Sequence, residues 1–164
     1  MTMSKAPSVW NVMRLKYLIL LVLFPTLSMA QGNGGNNWES ACESEFCAFR
    51  KTLAFVDTND TFALVELLIN VDSGESSFVV TTPLGINMTP GVRLITGGRD
   101  WTIPFRVCYQ DGCRATLTID GADLSKLLQN QTLEIRYLRF GEKRPVSATL
   151  PLDGLVTTIS KGNR

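Results

Sequence analysis

The residues of this 164-residue chain best suited to chemistry are four cysteines in two identical C-x4-C spacings, Cys42 to Cys47 and Cys108 to Cys113. The spacing is not the C-x-x-C of thiol oxidoreductases. Behind an export signal, where thiols oxidise, a pair of disulfides is a better reading than zinc held by four thiolates. The chain contains no histidine, which removes Ser-His-Asp and Cys-His nucleophilic machinery and every His-based zinc site. Paired carboxylates remain as a route to glycoside hydrolysis, with Glu43, Glu45, Glu66, Asp100, Asp111 and Glu134 as candidates. None of the six lies in a recognisable motif, so each is expected on a strand surface or in a turn. Gly97-Gly98-Arg99-Asp100 lacks the strand-to-helix context of a phosphate loop. No catalytic residue, metal site or cofactor is therefore expected.

The compartment follows from the first thirty residues. Arg14 and Lys16 precede an apolar stretch at 17–27, and Ser28-Met29-Ala30 offers the small residues read at a signal cleavage site. Residues 1–30 are thus expected to be a signal peptide, cut after Ala30, with Met3 and Met13 as further possible starts besides Met1. The apolar stretch is short against the roughly twenty residues of a membrane-spanning helix, so no permanent membrane anchor is expected. Cleavage removes Lys5, Arg14 and Lys16 and no acid, leaving 13 basic against 15 acidic side chains, a net charge of −2. A balance of that kind lacks the clustered basic charge of a nucleic-acid-binding domain. The pairs Arg50-Lys51 and Lys143-Arg144 are read as solvated strand ends.

Residues 31–37, QGNGGNN, read as a flexible lead-in, and the folded domain is expected over 38–160. Period-two alternation dominates it. Ala63, Val65, Leu67, Ile69 and Val71 share one parity, as do Trp101, Ile103, Phe105, Val107 and Tyr109. Strands are expected at 46–56, 61–71, 77–82, 92–96, 101–109, 114–119, 132–140 and 145–150, separated by turn residues such as Asp72-Ser73-Gly74, Gly97-Gly98 and Asp111-Gly112. This is an all-β pattern, a sandwich or barrel. One short helix is expected at 121–128, where Leu124, Leu127 and Leu128 follow helical spacing behind a capping Asp120 or Asp123.

The pairing of the cysteines stays open at this level. Neighbours in sequence would pair Cys42 with Cys47 and Cys108 with Cys113. A three-residue turn at 110–112 would instead put Cys108 and Cys113 on opposite faces. It would favour Cys47 with Cys113 in the core and Cys42 with Cys108 outside it. A four-residue loop restores the local pair but sets Arg114 opposite Val107.

Several of these segments form an ordered set: Pro83-Leu84-Gly85-Ile86, Pro90-Gly91-Val92-Arg93-Leu94, Ile103-Pro104-Phe105-Arg106-Val107-Cys108 and Gly112-Cys113-Arg114-Ala115. With Trp38-x3-Cys42 at the start and Leu150-x-Leu152-x-Gly154-Leu155 at the end, the set resembles the invasion-associated locus B family of exported proteobacterial proteins. Leu155 departs from it, since the family often has an aromatic residue there. The resemblance implies an immunoglobulin-like antiparallel β-sandwich, in the periplasm or at the cell surface, linked in pathogens to host-cell entry. It implies no catalytic residues. The function expected is a non-enzymatic binding or structural module whose partner is a protein or envelope component, with the carboxylate hydrolase as the alternative. Loops 86–91 and 140–143 are the candidate contact surfaces.

Overall fold

The computed structural model describes residues 37–162; the expected signal peptide and all but the last residue of the lead-in lie outside the described residues. Ten strands form two antiparallel sheets. In chain order these are β1 (Glu39–Glu43), β2 (Phe46–Ala54), β3 (Thr61–Asn70), β4 (Ser76–Thr82), β5 (Val92–Thr96), β6 (Arg99–Ile103), β7 (Phe105–Tyr109), β8 (Gly112–Ile119), β9 (Thr132–Tyr137) and β10 (Val146–Pro151). One sheet has the order β1-β2-β3-β4-β8-β7, and the other the order β10-β9-β5-β6. Helix α1 (Gly121–Leu128) stands where the leucine spacing places it, and its cap is Asp120, whose Oδ1 accepts from the Asp123 amide at 2.7 Å.

The alternation works as read. Phe49, Val65, Leu67, Phe78, Val80 and Ala115 of the larger sheet and Val92, Leu94, Ile103, Leu133, Ile135 and Leu150 of the smaller are buried in one core cluster. Burial of a large aliphatic or aromatic side chain contributes about 1.5–3 kcal/mol, so this interior is the main source of stability. Two hydrogen bonds tie the margins. Tyr137 Oη donates to the Phe62 carbonyl between the sheets at 2.9 Å, and Trp38 Nε1 donates to the Pro151 carbonyl at 3.2 Å.

The continuous strand expected at 101–109 is two strands in two different sheets. Pro104, which has no amide hydrogen to give to a ladder, falls between β6 and β7. A register shift then follows between Phe105 and Val107. It reverses the parity, so Phe105 stays buried while Val107 and Tyr109 face solvent.

That bulge resolves the cysteine pairing. Tyr109 pairs with Gly112 and Cys108 with Cys113 around a two-residue turn, not the three-residue turn considered from sequence. Both disulfides are local, Cys42 to Cys47 and Cys108 to Cys113, with Cα separations of 4.0 and 3.9 Å. Arg114 does end opposite Val107. It is accommodated by an ion pair to Asp111 at 2.8 Å and by the Tyr109 ring, 5.0 Å from the guanidinium carbon. The alternative pairs, Cys47 with Cys113 and Cys42 with Cys108, do not form.

Three further elements differ from expectation. Strand β1, exposed along its whole length, carries no alternation to reveal it. Helix α2 (Leu155–Gly162) was not expected; it buries Leu155 and packs on β1 and β2. Lys51, read as solvated, is only 8 % exposed in the middle of β2. Its ammonium lies 5.9 Å from the centre of the Trp38 ring, and burial lowers its pKa, opposed by the nearby Asp153 charge.

Candidate functional site

The six candidate carboxylates do not form a catalytic pair. Glu43 ends β1, and Glu45 lies in the β1–β2 turn. Glu66 accepts from Arg50 at 2.6 Å, and Asp111 from Arg114 at 2.8 Å. Asp100 and Glu134 come nearest to a constellation, since both are cross-strand neighbours of Ile95 on the smaller sheet. Each has its own arginine, Arg93 on Asp100 and Arg136 on Glu134, and the hydrogen bonds from these guanidinium groups hold both carboxyls below the usual range. A general acid must keep its proton near neutral pH, which an adjacent arginine opposes. Among the described residues no group of three or more metal-ligating side chains comes together. Gly97 to Asp100 forms the β5–β6 turn and the start of β6.

The structure does bring the two candidate loops together. Ile86 forms an isolated antiparallel bridge with Arg139, the Phe140 amide donates to the Gly85 carbonyl at 2.8 Å, and the Asn87 amide to the Leu138 carbonyl at 2.8 Å. Both loops leave the same end of the sandwich, after β4 and β9. Gly91 must be glycine for two reasons: its φ is +72°, and a Cβ there would lie 2.4 Å from the Ile103 carbonyl oxygen. Below the loops, Arg139 is held by Glu142 at 3.1 Å and stands 5.4 Å above the Phe55 ring. Phe55, Phe62 and Tyr137 continue that support as ring contacts of 5.2 and 4.9 Å.

On this braced base the loops present apolar side chains to water. Phe140 is 81 % exposed and Leu84 57 %, with Met88 also exposed and its sulfur 3.6 Å from Cys108 Sγ. Val56, next to Phe55, is exposed almost completely. Between the loops lies a cavity of about 190 Å³ bordered by Pro90, Arg93, Arg136, Leu138, Lys143 and Pro145. Lys143 and its neighbour Arg144 form no ion pair among the described residues, which gives this mouth a positive bias.

Loops 86–91 and 140–143 were legible as turns. Their junction was not, because it consists of backbone bonds between segments some fifty residues apart. The exposure of Leu84 also had no sequence signal, since an apolar residue after a strand reads equally well as core.

No curated protein matches the chain by sequence. A crystal structure of invasion associated protein B from Bartonella henselae has a similar fold, with a TM-score of 0.65 and 21 % identity, covering 77 % of this chain and 91 % of that one. The family model described as Invasion associated locus B (IalB) protein matches residues 38–161. With that match running from Trp38 through both disulfide hairpins and into α2, the chain belongs to the invasion associated locus B family.

Proposed function

We propose that this chain is an exported, non-enzymatic module of the bacterial envelope that binds a protein or envelope component through the paired loops, in keeping with the invasion-associated name of its family. The observation that carries this reading is the braced junction of loops 83–91 and 138–145, which keeps Phe140 and Leu84 in water. Exposed apolar side chains on a rigid base lose little conformational freedom on binding. Export rests on the leader at 1–30, with cleavage after Ala30 and release to the periplasm or cell surface. Disulfide formation fits the same route. Among the described residues no helix is long and apolar enough to cross a membrane.

The test is affinity capture from envelope extracts with the oxidised mature protein beside its Leu84→Ser/Phe140→Ser variant. A partner retained by the first and lost with the second is the expected result. Equal recovery by both, or nothing above background across several growth conditions, would overturn the reading. Peptide mapping without reductant, on protein from the periplasm, should show an N-terminus at Gln31. An unprocessed cytosolic form with four titratable thiols would contradict export.

A further inference from the structure

We propose that the cavity between the β5–β6 turn and the last turn of α1 is a binding site for a short acidic saccharide, independent of the paired loops. Its volume is about 350 Å³, and its border includes Arg99, Trp101, Lys126, Gln129 and Asn130. That volume lies within the range of small-molecule sites. Strand β6 is an edge strand, where Arg99 and Trp101 share a face with the buried Thr96 and Leu94, and Arg99 is tied to α1 by its ion pair with Asp123 at 2.6 Å.

Three features point to the ligand. The first is the indole. Trp38 donates its ring N–H to a backbone carbonyl, whereas Trp101 borders the cavity and its ring N–H has no protein acceptor among the described residues. The Arg99 guanidinium carbon stands 5.8 Å over that ring, so the indole offers a pyranose hydroxyl an unpartnered donor beside a positive charge, not a bare stacking face. The second is the amide pair. Asn130 Nδ2 donates to the Lys126 carbonyl at 2.7 Å, which leaves its oxygen directed toward Gly97, where a Cβ would lie 2.6 Å away. Glycine at 97 thus keeps that acceptor clear, and Gln129 beside it is exposed, with both kinds of hydrogen-bonding group to offer. The third is charge. Arg99 and Lys126 both converge on Asp123 alone, leaving one positive charge without a counterpart. A ligand carboxylate, sulfate or phosphate would supply it.

The oxidised mature protein is titrated calorimetrically with tetragalacturonate, with maltotetraose and with inorganic phosphate. Saturable binding of tetragalacturonate, about tenfold tighter than maltotetraose, is expected from the charge-assisted contact. Lys126→Gln changes an exposed side chain and should weaken it about tenfold without moving the melting midpoint. Trp101→Phe keeps the ring, removes the donor and should also weaken it. Equal affinity for maltotetraose, equally effective competition by phosphate, an unaffected Lys126→Gln protein, or no saturation at millimolar ligand would each overturn the proposal. None of these results depends on Leu84 or Phe140, so the paired-loop reading stands or falls separately.

Discussion

The two disulfide hairpins repeat one plan at opposite edges of the larger sheet. In each, a two-residue turn separates register partners, Glu43 and Phe46 in one and Tyr109 and Gly112 in the other, and the cysteines face each other one step inward. An exposed cysteine on the edge strand is joined to a buried one on the inner strand, Cys42 to Cys47 and Cys108 to Cys113. Their surroundings differ. The β1–β2 turn is held by one backbone bond, from the Val71 amide to the Glu45 carbonyl at 2.8 Å, with Phe46 exposed and Ser44 at φ +52°. The β7–β8 turn lies against β4, and a Cβ on Gly112 would be 2.2 Å from the Thr82 carbonyl oxygen. Cys108 also touches Met88 of the candidate loop. Identical spacing thus produces a clasp with an exposed turn at one edge and a clasp whose turn is packed on backbone beside the candidate loop at the other.

The sharpest way to break that contrast is Gly112→Ala, which should cost about 3 kcal/mol because the new methyl group meets backbone that has little room to move. Urea denaturation with a loss below about 1 kcal/mol would mean that the second turn is no more tightly packed than the first. Next comes removal of each disulfide as a Cys→Ser pair. Both close equally short loops, so each should cost about 2 kcal/mol. Hydrogen exchange separates them: amides at 86–91 should lose protection only in the Cys108→Ser/Cys113→Ser protein.

Tyr137→Phe touches neither hairpin and sets the scale for the tie between sheets, about 1 kcal/mol for the lost hydrogen bond. Burial pushes the Tyr137 phenol up to about 12 from its ordinary 10.0. Between those values the unfolded chain releases a proton that the native state retains, so stability should fall as pH rises, by up to about 1.4 kcal/mol per pH unit. The Phe variant should lack that slope. The smallest change is Ser44→Gly, which relieves a left-handed serine and should gain about 0.5 kcal/mol. A loss there would show that the first turn is also packed.

Strand parity carried most of the core from sequence to structure, because a sheet with one buried face must alternate. It failed where alternation is interrupted or absent. The bulge at Arg106 is invisible in a run that keeps its parity through Tyr109, and β1 has no buried side to mark it. Lys51 shares the buried parity of Cys47, Phe49 and Leu53, but an ammonium on that face runs against the usual exposure of lysine. The loops of the candidate site were visible as glycine and proline punctuation, whereas their bridge depends on a long-range register that no local pattern records. The cavity at Trp101 was equally hidden: the indole counted as one more inward residue of a single long strand, and its place on an edge emerges only once Pro104 divides that strand.

Pro104 has a mechanical consequence as well. Within one residue the backbone leaves one layer and enters the other, so the layers share a short covalent stitch at their rim. Peeling them apart would pull on β6 and β7 at once, and the molecule should therefore melt as one unit rather than layer by layer.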